Sequence, residues 1–156
     1  MKPNPTRILR LEPHSALLEV VVRWRHEAFL RDLGFTFEQS LRQLEGLLRK
    51  RDDEAAFVAE LEGKPAGTCL YVHREMDPQH DLSPWLAGLY VVPAFRRRAV
   101  GRALVAAVEA HGRSLGCPRL HLYTTRAEDY YAPLGWQVQE RFSWKGEPFV
   151  LMRRDL

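Results

Sequence analysis

The stretch Trp85-Leu86-Ala87-Gly88-Leu89-Tyr90-Val91-Val92-Pro93-Ala94-Phe95-Arg96-Arg97-Arg98-Ala99-Val100-Gly101-Arg102-Ala103-Leu104 decides how this chain is read. It opens as an apolar run of strand length, Trp85–Val92, stopped by Pro93. A tight basic turn follows. Val100, Leu104, Val108, His111 and Leu115 then recur along one side of a helix expected over Arg97–Arg113. Strand, turn and helix in that order bring the first N–H groups of the helix to the end of the strand. Those groups lack intrahelical acceptors, and the aligned peptide dipoles add positive potential there. The small residues Ala99 and Gly101 leave room for a phosphate-bearing group, and Arg96, Arg97, Arg98 and Arg102 add mobile positive charge. Gly88, inside the apolar run, marks a bulge or a close ligand approach.

Upstream, a first strand is expected at Arg7–Leu11, ended by Pro13. Leu17, Val20, Val21, Trp24, Ala28 and Leu33 give a helix closed by Gly34. A second helix, Thr36 to Arg49, has Thr36 as its cap and Leu41, Leu44, Leu47 and Leu48 on its apolar face. Strands at Ala55–Leu61 and Ala66–His73 flank the turn Glu62-Gly63-Lys64-Pro65, and a polar loop runs from Glu75 to Ser83. Downstream come a strand at Arg119–Tyr123, a short helix around Ala127–Tyr131, and strands at Trp136–Ser143 and Glu147–Arg153 about the turn Lys145-Gly146. The class is α+β: one domain, with a mixed, mostly antiparallel sheet of six to seven strands and about four helices.

The 156 residues suffice for one buried core, and 46% hydrophobic with 28% charged is a globular mixture. The longest stretch without a charge or histidine, Leu82 to Phe95, is too short to span a bilayer and holds Pro84 and Pro93. Lys2, Arg7, Arg10 and Glu12 interrupt any secretory pattern, and Cys69 and Cys117 have no metal-ligand spacing. A cytoplasmic protein without disulfides is expected. A net charge of +3 supplies no extended basic face, so Arg96-Arg97-Arg98 is not read as a nucleic-acid surface. No metal is expected either: His73, His80, His111 and His121 lack companions at ligand spacing.

The segment Arg96-x-x-Ala99-x-Gly101 resembles the acetyl-CoA signature of the GNAT N-acetyltransferase superfamily, with Ala99 where the first glycine is expected. Tyr130-Tyr131-Ala132-Pro133-Leu134-Gly135-Trp136 resembles that family's second hallmark, in the family's order and separation. The resemblance runs over essentially the whole chain. It implies that backbone groups of Leu89, Tyr90 and Val91 meet the acetyl and pantetheine arm. It implies that Arg97, Arg98, Ala99, Val100, Gly101 and Arg102 hold the pyrophosphate through main-chain N–H groups. Tyr131 falls on the catalytic tyrosine, and Thr124 stands where many relatives carry an asparagine that contacts the cofactor. A left-handed conformation at Ala99 would cost about 1 kcal/mol or more, about a fivefold loss of cofactor affinity.

Acyl transfer to an amine needs a neutral nucleophile, so an amine with pKa near 10.4 must lose a proton at a cost of roughly 4.6 kcal/mol at pH 7. It also needs a proton for the departing thiolate, and a neutral tyrosine is a suitable donor. Tyr131 is assigned as that acid, and an N–H of Tyr90 or Val91 as the oxyanion donor. The strand Trp85–Leu89 offers no carboxylate as a base; Glu75, Asp77, His80 and Asp81 lie in the loop before it. Glu75 is the first choice for a substrate-facing acid, and Trp24 for lining the acceptor pocket. A homodimer through the final strands is expected from the resemblance. The acceptor stays open among polyamine, aminoglycoside-like amine, amino acid and protein N-terminus. The alternative is a non-catalytic acyl-CoA-binding module, whose mark would be the loss of Tyr131.

Overall fold

The computed structural model describes residues 6–50, 52–75 and 80–156. Its sheet has seven strands, β1 (Arg7–Arg10), β2 (Ala55–Leu61), β3 (Lys64–Val72), β4 (Trp85–Val91), β5 (Arg119–Thr124), β6 (Gln137–Trp144) and β7 (Glu147–Asp155), in the order β1-β2-β3-β4-β5-β7-β6. Every neighbouring pair is antiparallel except β4 and β5. The helices are α1 (Leu18–Arg25), α2 (Phe37–Arg49), α3 (Val100–Ser114) and α4 (Glu128–Tyr131). The expected α+β fold is present.

Both faces of the sheet centre are covered, which is why β2 and β3 read as near-continuous apolar runs. Ala55, Phe57 and Ala59 point into a core with Val100, Leu104 and Val108 of α3, while Ala56 and Val58 face Val21 and Val22 of α1 and Leu44 of α2. Helix α2 starts at a full capping box: Thr36 accepts from the Gln39 N–H, and the Gln39 side chain accepts from the Thr36 N–H.

Of the boundaries that differ from the sequence reading, three have a backbone reason. The hairpin turn is only Glu62-Gly63, so β3 begins at Lys64 rather than Ala66. The single helix expected from Leu17 to Leu33 is α1 followed by a π turn, His26–Leu30, and a 3₁₀ turn, Arg31–Leu33. Helix α3 starts at Val100, not Arg97, because Arg97 and Ala99 are left-handed, at φ 63° and 64°, and cannot sit in a right-handed helix.

Candidate active site

Strands β4 and β5 are in register at Trp85 and His121 and at no other described pair. Beyond Leu86, β4 is held by β3 alone. There the ladder bulges: Thr68 faces Tyr90 and Leu70 faces Ala87, so Gly88 and Leu89 stand against the lone Cys69. Gly88 has φ +63°, and a β-carbon there would run into the Arg25 guanidinium. The bulge thus lies where Gly88 signalled it, and β4 and β5 part into a wedge.

The wedge ends at the basic turn. Ala99 caps α3 with no side-chain acceptor for the first N–H groups. An L-residue in the left-handed region costs about 1–2 kcal/mol, so Arg97 and Ala99 make this turn a strained one. The Ala99 backbone is left-handed, which is the condition the sequence reading set for a cost of about 1 kcal/mol or more at this position. Two arginines are tied into the fold. Arg96 donates from Nε to the Val91 carbonyl at 3.0 Å, and Arg98 binds Glu62 at 2.7 Å, holding that carboxyl below its usual value. Arg97 and Arg102 have no carboxylate partner among the described residues and remain available to an anion. The space at Gly101 is taken by Tyr130, whose hydroxyl stands where a β-carbon would be. The glycine seats an aromatic ring rather than leaving the helix bare.

Tyr131 is 7% exposed and packs edge-on against Tyr130 and Trp136, at centroid distances of 5.2 and 6.0 Å. Burial, then the nearby Cys69 and Tyr130, push its hydroxyl above the ordinary tyrosine value, so it keeps its proton at neutral pH. Thr124 accepts from the Ala127 N–H at 2.9 Å and so fixes the turn that carries α4. Leu89 and Val91 pack against the α3-side core, and Tyr90 against Trp24 at 5.8 Å. The buried Cys69 thiol, pushed up to about 12 chiefly by desolvation, is no nucleophile.

Across β4 from α3 lies a cavity of about 860 Å³, walled by α1, α2, β4, Tyr123 of β5 and the β6–β7 hairpin. Glu75 lines it. Trp24 does not; its neighbour Arg25 does. His80 lies outside the lining but hydrogen-bonds the Tyr123 hydroxyl through Nδ1 at 2.8 Å and Glu140 through Nε2. A hydrogen-bonded chain therefore runs from the cavity wall to solvent. Asp81 is exposed, and Asp77 falls outside the described residues. Sequence reasoning missed Arg25, Tyr123, Phe142 and Phe149. For Arg25 a signal existed: it stands four residues after Val21, on the buried face of α1. Among the described residues no group of His, Cys, Asp and Glu is placed to hold a metal.

A family model, that of the acetyltransferase (GNAT) family, matches residues 18–136. The chain belongs to the GNAT acetyltransferase family. It is a GNAT-type N-acetyltransferase, and resembles the aminoglycoside N(6')-acetyltransferases type 1 of Salmonella typhimurium and Salmonella enteritidis. Each is 31% identical over 97 residues, which span 58% of this chain and 67% of the relative. Solved structures share the GNAT fold at lower identity. An acetyltransferase from Salmonella typhimurium, solved with acetyl-CoA, has TM-score 0.78 at 16% identity, covering 98% of this chain and 95% of its own. A GCN5-related N-acetyltransferase from Kribbella flavida has TM-score 0.77 at 19% identity, covering 97% and 98%. AAC(6')-Iy, in complex with a bisubstrate analogue, has TM-score 0.74 at 24% identity, covering 90% and 96%.

Proposed function

We propose that the chain moves an acetyl group from acetyl-CoA to a primary amine by direct attack in a ternary complex. The observation that carries this reading is the bulge at Gly88-Leu89, with the strained basic turn and Tyr131 on one flank and a large cavity on the other. The residues present fit coenzyme A: a helix start without a side-chain cap, two left-handed residues and two arginines with no carboxylate partner among the described residues suit a pyrophosphate. Three solved structures of this fold hold acetyl-CoA or coenzyme A.

When bound, acetyl-CoA supplies the thioester carbon that the amine lone pair attacks and the sulfur that leaves with the C–S electron pair. The N–H of Tyr90 or Val91 faces the charge that develops on the acyl oxygen. Tyr131 gives its hydroxyl proton to the departing sulfur. Tyr123, joined to His80 and Glu140, offers the proton shed by the amine a route to solvent. Glu75 is the carboxylate that draws the acceptor into the cavity.

No helix among the described residues is long and apolar enough to cross a membrane. A cytoplasmic location and a homodimer belong to the same proposal. Cys69 and Cys117 carry free thiols, and β6 is an exposed edge strand of the kind through which two copies extend one sheet. Thiol release from acetyl-CoA, followed against a panel of amines, tests the reading. Release that depends on an amine supports it; tight acetyl-CoA binding without turnover on any amine would favour the non-catalytic module instead.

A further inference from the structure

The acceptor cavity holds a buried guanidinium, that of Arg25, with no hydrogen-bonded or ion-paired partner among the described residues. Arg25 ends α1, where the helix widens into the π turn His26–Leu30. Such a turn takes in an extra residue and shifts the faces on either side of it, often at functional sites. Here Arg25 and Phe29 both lie over Gly88. Arg25 is only 7% exposed, yet it makes no hydrogen bond or ion pair with any described residue. None of its guanidinium nitrogens is sealed off, and the side chain lines the cavity. Burial pulls it below its ordinary value, while Glu75 acts on it through space in the other direction. A guanidinium largely taken out of water without a hydrogen-bonded carboxylate is costly. A site tolerates it when the missing acceptor atoms arrive with a ligand, and the planar fork matches a carboxylate in two-point fashion.

The surroundings narrow the ligand further. Because Arg25 sits on the bulge beside the proposed acyl position, its anion must lie within a few atoms of the attacked amine. Phe29, Leu33, Leu47, Phe142 and Phe149 offer apolar surface to the rest of the molecule. Among the described residues the lining carries Arg25, Arg42, Lys50 and Arg74 with Glu54, Glu75 and Glu147, and Arg42 is paired with Glu38 and Lys50 with Glu54. That leaves Arg25 and Arg74 with Glu75 and Glu147, so the described lining has no net negative charge to draw in a polycation.

We propose that Arg25 anchors a carboxylate borne by the acceptor beside its amine, which makes the acceptor an apolar α-amino acid or a similar amino carboxylate and not a polycation. This rests on the acetyl-transfer reading above. The guanidinium also disfavours the ammonium form of the neighbouring amine, easing the loss of the proton that must leave the nitrogen.

The experiment pairs each α-amino acid with its decarboxylated amine: phenylalanine with phenethylamine, leucine with isopentylamine, tryptophan with tryptamine. Neamine serves as the polycation. Two readouts run in parallel, thiol release from acetyl-CoA and the melting temperature of the chain in the presence of CoA. At least one amino acid is expected to exceed its decarboxylated partner in kcat/KM by about tenfold or more, the worth of a charge-assisted bond to a buried guanidinium. That amino acid should also raise the melting temperature where its partner does not. In R25M the ratio should collapse towards one and the amino-acid shift should vanish. The ligand-free variant should melt at or above the wild-type temperature, since a buried unpaired charge has been removed; R25K should restore part of the ratio. Equal rates within every pair, a preference for neamine, or a ratio that survives in R25M would overturn the proposal. Absence of thiol release with every amine, alongside an Arg25-dependent melting shift, would sink the transfer reading and leave the anchor standing.

Discussion

The two flanks of β4 are built by different rules. On the α3 flank the groups proposed to work are main-chain N–H donors and one tyrosine, set by two short segments, Arg96–Arg102 and Tyr130–Trp136. On the other flank the cavity is a mosaic of side chains drawn from α1, α2, β4, β5 and the β6–β7 hairpin, over a sequence separation from Arg25 to Phe149. A site that grips a group common to many reactions can be written in backbone geometry and a few residues. A site that selects one acceptor is written in side chains that only the fold brings together.

The contrast can be broken or sharpened by substitution on each flank. The largest effect is expected from Tyr131→Phe: a loss of turnover of at least about tenfold with acetyl-CoA affinity retained, measured by steady-state thiol release and calorimetry. An unchanged rate would remove the acid from the α3 flank. Next, Tyr123→Phe cuts the link from the cavity to His80 and Glu140. It should lower kcat by about tenfold and leave the KM for acetyl-CoA unchanged; a change in that KM instead would place Tyr123 on the wrong flank. A smaller effect separates the arginines. Arg102→Ala should weaken CoA binding several-fold, and more than Arg98→Ala does, because Arg98 is already engaged by Glu62. Equal losses would show that the Glu62 pair opens on binding. The smallest change tests the strain at Ala99. Ala99→Gly should stabilise the fold by about 1 kcal/mol once the greater chain entropy of glycine is offset, raising Tm by roughly 3 °C. Cofactor affinity should stay within about twofold. A fivefold tightening without a gain in Tm would put the strain on binding.

What the sequence yielded follows the same division. The bulge at Gly88, the turn after Val92, the Thr36 cap and the hairpin at Lys145-Gly146 are local events, and each lies where the residues pointed. Arg25 escaped because regular helical spacing favoured Trp24 for the pocket, and the π turn after it left no mark in the residue pattern. Phe142 and Phe149 escaped because they enter through a hairpin more than fifty residues beyond β4. Gly101 was legible as a small residue, but its reason was not: the ring it accommodates lies 29 positions downstream.

Amide hydrogen exchange with and without CoA tests most directly whether β4 and the basic turn form the donor site. Slowed exchange is expected at the N–H groups of Leu89–Val91 and Arg97–Arg102, with α2 and the β6–β7 hairpin unaffected. No protection at the turn, or protection confined to the α1–α2 flank, would contradict it.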